Sequence, residues 1–202
     1  LVGSEMCIRD SYYIIRFSKM DKNLKSIGRV TLEIKIKRAI WNISSLFLFR
    51  FLGTKFFRKW RIMLLKIFGA KIEWDAEVYS SVKIWAPWNL QMGHRACLGP
   101  EVICYNQDKV ILEDDVVVSQ YSYRCTASHD INMLNTANDS LVTAPIWIKE
   151  KAWIGSKAFI GLGVCIGKAA VVGATASVYK SVEDYHVVGG NPAKTIKIRD
   201  LK

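Results

Sequence analysis

Residues 146–180 read IWIKEKAWIGSKAFIGLGVCIGKAAVVGATASVYK, and a six-residue beat runs through them. Ile148, Ile154, Ile160, Ile166, Val172 and Val178 recur without a slip. Gly155, Gly161, Gly167 and Gly173 follow four of them, and Ile146, Ala152, Ala158, Val164, Ala170 and Ala176 stand two places before. This period suits neither an α-helix, which repeats near 3.6 residues, nor a simple strand, which repeats at two. Hexads belong to parallel β-helices, where each repeat is one short strand with its aliphatic residue inward. The turns between strands need small residues or a positive φ, which the recurring glycines would supply. Three hexads close one triangular coil, so residues 146–181 predict two coils in register.

Working outward, the same pattern returns in a more worn form. Met92–Gly93 and Leu98–Gly99 are six apart, with Leu90 and Ala96 two places before. Leu112 and Val118 repeat the spacing behind Val110 and Val116, while Cys104 to Leu112 is eight residues, a two-residue bulge in the wall. Between Arg124 and Ile148 the hexads lapse. The stretch Cys125–Ala144 carries Thr126, Ser128, His129, Asp130, Asn132, Asn135, Asn138 and Asp139. A solenoid loses core contacts at such an insertion, so chemistry is expected there.

Composition bounds the rest. The 202 residues are 50% apolar and 11% aromatic with four Pro, which excludes a disordered or collagen-like chain. The five cysteines (Cys7, Cys97, Cys104, Cys125 and Cys165) form no C-x-x-C pair. They read as reduced core residues of a cytosolic protein, with neither a disulfide framework nor a zinc site. The net charge of +11 is unevenly spread: residues 1–74 hold 16 Lys+Arg and 5 Asp+Glu, while 75–202 hold 13 of each. A wholly basic protein would point to nucleic acid; a neutral body with a basic head does not.

Four parts are expected. Residues 1–19, which lack a starting Met and show no period, read as non-native or disordered. Residues 20–74 read as a basic helical extension, 75–186 as the β-helix with a catalytic loop inserted at 125–145, and 187–202 as a C-terminal tail. In the extension, Ile40, Ile43, Phe47 and Leu48 fall at helical spacing, as do Phe57, Trp60, Leu64, Ile67 and Phe68, with Gly53 between the two sets. The apolar run is shorter than the roughly 20 residues a membrane span needs. Two readings stay open: an amphipathic anchor on an anionic leaflet, or a cap packed on the body with Lys and Arg as its solvated face.

The wording of the motifs resembles the left-handed β-helix acyltransferases, in particular the colanic-acid-biosynthesis type of O-acetyltransferase. The stretches that carry the resemblance are PWNLQMG (87–93), CLGPEVICYN (97–106), VSQYSYRCTASHD (118–130), API (144–146), WIGSKAFIGLGVCIG (153–167) and VVGGNPAKTIKIR (187–199), with FGAKI (68–72) upstream. It implies an all-β solenoid, a left-handed parallel β-helix with an N-terminal helical extension, assembled as a homotrimer. Acetyl-CoA would lie in a groove between neighbouring β-helices and pass its acetyl group directly to a sugar hydroxyl of an exopolysaccharide or its precursor, with no metal. Carried over by motif, His129 is the general base. Trp153 and Ser156 line the CoA groove, and Ala174, Lys180, Lys194 and Lys197 fall in the pantetheine and nucleotide-phosphate region. Tyr179–Lys180 departs from the usual Thr–Lys, and Glu113 stands where the repeat places Gly. The expected location is the cytoplasm; peripheral contact at the inner membrane face belongs to the anchor reading of the basic helices alone.

The chemistry agrees with that residue set. An alcohol is a poor nucleophile at neutral pH, so acyl transfer needs a base at the attacking oxygen, and a neutral imidazole titrates in the right range. A thioester already carries a good leaving group, and the sequence shows no nucleophile elbow. His94, in MGHRA, and His186, in DYHVV, read as solvent-facing. Asp130 adjoins His129 and in extended chain points to the opposite side, so a backbone carbonyl or Asn106 is the expected orienter of the imidazole. Three rivals differ in class. A γ-type carbonic anhydrase needs three His per zinc, two closely spaced on one wall, which this sequence lacks. A non-catalytic trimeric scaffold leaves the polar SHD loop unexplained. A transferase of another acyl group, or one acylating an amino-sugar nitrogen, keeps the fold and changes the substrate.

Overall fold

The computed structural model describes residues 25–28, 30–51, 54–129 and 141–200. The expected N-terminal segment 1–19, Gly53, Asp130 and the polar residues between 132 and 139 lie outside this set. From Lys71 to Val178 the chain winds five coils of a parallel β-helix with three flat walls. Wall 1 stacks Lys71–Ile72, Leu90–Met92, Val110–Leu112, Ile146–Ile148 and Cys165–Ile166. Wall 2 stacks Glu77–Val78, Cys97–Leu98, Val117–Val118, Trp153–Ile154 and Val171–Val172. Wall 3 stacks Lys83–Ile84, Ile103–Tyr105, Tyr123–Cys125, Phe159–Ile160 and Ser177–Val178.

The second residue of each hexad pair points into the prism. Ile72, Met92, Leu112, Ile148 and Ile166 therefore stack as one buried column, and Val78, Leu98, Val118, Ile154 and Val172 as the next. Each such side chain contributes about 1.5–3 kcal/mol on burial, and together they hold strands of only two or three residues. The third column is Ile84, Cys104, Arg124, Ile160 and Val178. Arg124 thus keeps the register where the sequence pattern had been read as lapsing. Its guanidinium is fully buried and turns to the carbonyls of Ser122 (3.2 Å) and Ile103 (3.3 Å), while its Nε has no partner.

The corners revise the role given to the glycines. The residues with positive φ are mostly not Gly: Arg95, Asp115, Lys151 and Ala169 at the wall 1–wall 2 corner, and Glu101, Tyr121, Lys157 and Thr175 at the wall 2–wall 3 corner. The strain of that conformation is offset by a bond to the coil below. Asp115 N–H donates to His94 O, Lys151 N–H to Asp114 O and Thr175 N–H to Ser156 O, at 2.8–2.9 Å. The repeated Gly serves close approach instead. A Cβ on Gly155 would lie 2.6 Å from Ala174 N, and one on Gly167 would lie 2.4 Å from Asp184 N.

The extension covers the open base and one flank. Helix α1 (Leu32–Ser44) starts at Thr31, whose Oγ1 accepts from Ile34 N–H, and continues through a π-turn over Ser45–Arg50. It lies beside wall 3: Trp41 Nε1 donates to Ile84 O (2.7 Å), Arg38 sits 4.2 Å over Trp85, and Phe49 is fully buried. Helix α2 (Arg58–Ile67) inserts Ile62, Leu64 and Leu65 under the first coil, and Arg61 Nε bonds Val78 O. The base edge of the sheets is thereby covered. The helical stripe read from the sequence faces outward, however. Ile40, Ile43 and Phe47 are exposed, so the solvated side carries an apolar stripe beside the exposed Lys35 and Lys37. The first coil begins at Lys71, inside the stretch assigned to the extension.

Candidate active site

The corner between walls 3 and 1 is longer than the other two. Ile84 to Met92 and Cys104 to Leu112 each take eight residues, through the 3-10 turn Pro87–Asn89 and the bend 106–109. In the third coil this corner grows into a hairpin, Ala127–His129 against Leu141–Thr143, antiparallel, with His129 opposite Leu141. A third strand, Lys25–Gly28, comes from the extension and pairs with Leu141–Thr143, placing Gly28 opposite Leu141. Within the segment read as a polar loop, Ala127–His129 and Leu141–Thr143 are therefore strands of a three-stranded sheet.

The root of the hairpin is fixed by buried polar groups stacked on the elongated corner. Asn106 is wholly buried; its Oδ1 accepts from Ala86 N–H (3.0 Å) and its Nδ2 donates to Ala86 O (2.7 Å). Both ends of the amide are thus engaged in clamping one coil to the next. These amide bonds run to Ala86, and neither of them reaches His129. Thr126 Oγ1 accepts from Asp108 N–H and donates to Tyr105 O, and Thr126 O accepts from Ala144 N–H. His129 itself is exposed at the outer end of its strand.

The other predicted residues divide between two corners. Trp153 points outward from wall 2, about half exposed, with Nε1 donating to Ser119 Oγ (2.9 Å). Ser156 is half-buried and Ala174 exposed, one coil apart at the wall 2–wall 3 corner. Wall 2 continues into His186–Gly189 and then Lys194–Ile198, on which Lys194 and Lys197 are exposed. Lys180, also exposed, leaves wall 3 on the same corner as His129, two coils above it. A single copy therefore does not bring His129 to Trp153, Ser156 and Ala174.

The remaining candidates are accounted for. Tyr179 packs on Phe159 (5.6 Å), which stacks on Tyr123, so the departure at Tyr179 extends an aromatic ladder on wall 3. Glu113 replaces Gly with a use: its carboxylate accepts from Trp147 Nε1 (2.7 Å) and Glu150 N–H (3.0 Å). His94 is exposed and pairs with Asp75 at 3.2 Å; that hydrogen bond, then the carboxylate's charge, raises its pKa above the usual range. His186 is half-buried rather than solvent-facing, with Nδ1 near Asp184 O. Among the described residues no group of three or more His, Cys, Asp or Glu gathers as a metal site. Burial pushes the Cys97 thiol up to about 11 and raises Cys125 and Cys165, so these sulfurs stay protonated and weakly nucleophilic at neutral pH.

Hexads stacked into three parallel walls define the hexapeptide-repeat β-helix class. No protein-family model matches the chain. The putative colanic acid biosynthesis acetyltransferase WcaF of Escherichia coli K12 is 38% identical over 141 residues, covering 70% of this chain and 76% of the relative. Among solved structures, a galactoside acetyltransferase in complex with coenzyme A superposes with TM-score 0.75 at 22% identity, over 87% of this chain and 86% of that one. A hexapeptide-repeat acetyltransferase from Vibrio cholerae complexed with acetyl coenzyme A gives 0.74 at 22% identity, over 85% and 92%. These likenesses carry the fold. The chain belongs to the hexapeptide-repeat acetyltransferases of the colanic-acid-biosynthesis type, and it is an acyltransferase.

Proposed function

We propose that the chain is a cytoplasmic homotrimer that transfers acetyl from acetyl-CoA to a sugar hydroxyl of an exopolysaccharide or its precursor. Neutral His129 takes the hydroxyl proton as the sugar oxygen attacks the thioester carbonyl. The tetrahedral adduct collapses, the C–S bond breaks, and the imidazolium returns the proton to the departing CoA sulfur. The protonated thiols favour this direct route over an acyl-cysteine. Trp153 offers a flat apolar face to the donor, with Ser156 and Ala174 beside it, and Lys180, Lys194 and Lys197 offer charge to its phosphates.

The observation that carries this reading is the division of the site between corners. His129 and Lys180 stand on one corner, and Trp153, Lys194 and Lys197 stand on wall 2 and its continuation, where outward Val117 and Trp153 are 43% and 52% exposed. A second copy that sets its corner against this wall would complete the site and cover the apolar side chains. The solved neighbours in complex with coenzyme A and with acetyl coenzyme A support that donor. His129→Ala is expected to lower kcat by ~10²–10⁴ while CoA affinity and assembly mass persist. Full activity in that variant would remove His129 as the base, and a monomeric active enzyme would remove the shared site.

A further inference from the structure

Helix α1 carries two apolar faces, and the fold uses one. Trp41 and Phe49 are buried against wall 3 and α2. On the opposite side Leu32, Ile36, Ile40, Ile43 and Phe47, spaced three or four residues apart, are each more than half exposed. Phe51, 84% exposed, follows in the chain, while Leu46 lines the groove between this segment and wall 3. A helix apolar on both sides is expected to be covered on both.

The surrounding charge identifies the cover. Lys35 and Lys37 flank the stripe on either side, and exposed Arg50 and Lys59 follow it. The stripe's one acidic neighbour, Glu33, is paired with Lys37 (2.6 Å). The first 74 residues carry 16 Lys+Arg against 5 Asp+Glu, while the body is balanced. We infer that this face docks on an anionic lipid bilayer, with the apolar stripe at the headgroup boundary and the cations on the phosphates. Among the described residues no helix is long and apolar enough to cross a membrane.

The docking site adjoins the catalytic hairpin. Gly28, Leu141 and His129 lie side by side across the three-stranded sheet, and only three residues separate Gly28 from Leu32. Two strand spacings and that tether put the first residue of the stripe within roughly 25 Å of His129. On the acetyl-transfer reading, an acceptor held in the leaflet by a lipid would meet the enzyme on this side. Docking itself does not depend on that reading, because it is measured without acetyl-CoA.

Co-sedimentation of the full chain with vesicles tests it. The protein is expected to pellet with phosphatidylcholine vesicles containing phosphatidylglycerol, to stay soluble with phosphatidylcholine alone, and to be released by salt. Ile36→Ser/Ile40→Ser/Ile43→Ser/Phe47→Ser removes only exposed side chains and should cut partitioning ~10-fold or more at unchanged mass and circular dichroism. Lys35→Glu/Arg50→Glu should weaken binding severalfold and serves if the serine variant is not recovered. A parent protein that ignores anionic vesicles overturns the inference. So does a serine variant that changes the assembly mass, which would assign the face to a second copy.

Discussion

At the corner between walls 2 and 3, each turn is pressed onto the next. Gly155 approaches Ala174 so closely that a Cβ would meet backbone at 2.6 Å, and Thr175 N–H bonds Ser156 O across the gap. At the corner between walls 3 and 1 the contacts relax: Gly161 has 3.4 Å to its nearest neighbour, and two lower coils spend eight residues where six suffice. The hairpin with His129 grows from this second corner, over a buried footing of Asn106 and Thr126. A solenoid wall fixes every residue by its neighbours above and below, and only a corner released from that stacking can project a side chain to a substrate. The difference lies in packing and in the two extra residues that the lower coils spend at the second corner.

The contrast can be broken by adding one methyl group at each corner. Gly155→Ala is expected to cost about 1–3 kcal/mol in unfolding free energy, because backbone must shift. Gly161→Ala meets ordinary contact distances and should stay within about 0.5 kcal/mol of the parent by denaturant melts. Equal losses at the two positions would erase the distinction. A finer probe is Ser26→Pro, which weakens the strand that braces the hairpin while leaving the coils intact. It is expected to lower kcat about 3- to 10-fold with CoA affinity and melting temperature nearly unchanged, since a base displaced by a fraction of an ångström loses its alignment. An unaffected kcat would show that the hairpin stands without its third strand.

The smallest effect belongs to an ordinary corner. His94 has its pKa raised by the hydrogen bond and charge of Asp75, so the pairing is fully present below the unfolded value near 6.5 and lost as pH rises through the folded one. Thermal melts above pH 6.5 should show a slight decline that His94→Asn abolishes, while kcat is unchanged. A large change in activity would make this corner functional too.

Legibility in the sequence followed packing density. The upper two coils were readable because each turn there demands a small residue, and Ala152, Ala158, Ala170 and Ala176 mark the beat. The lowest coil, with Ile72, Val78 and Ile84 buried in the same columns, went unread because the turns Glu73–Ala76 and Tyr79–Val82 contain no Gly. His129 could be singled out because a polar stretch interrupts an apolar repeat. Its setting could not, since pairing of Lys25–Gly28 with Leu141–Thr143 depends on partners far apart in the chain. The β-branched pair Val142–Thr143 was the one local hint of a strand there. In α1 the spacing revealed a stripe but not its direction, because a helix with two apolar faces leaves periodicity unable to choose between them.

The bond between Lys25–Gly28 and Leu141–Thr143 also sets a schedule. Coils of a solenoid can wind one on another as they leave the ribosome, each needing only its predecessor. The strand at residue 25 emerges before the coils and meets Leu141–Thr143 only once residue 143 is free, so closing that long loop comes after three coils are complete. A nascent chain halted before residue 143 carries His129 without the strand that braces it, and the three-stranded sheet closes only after the third coil.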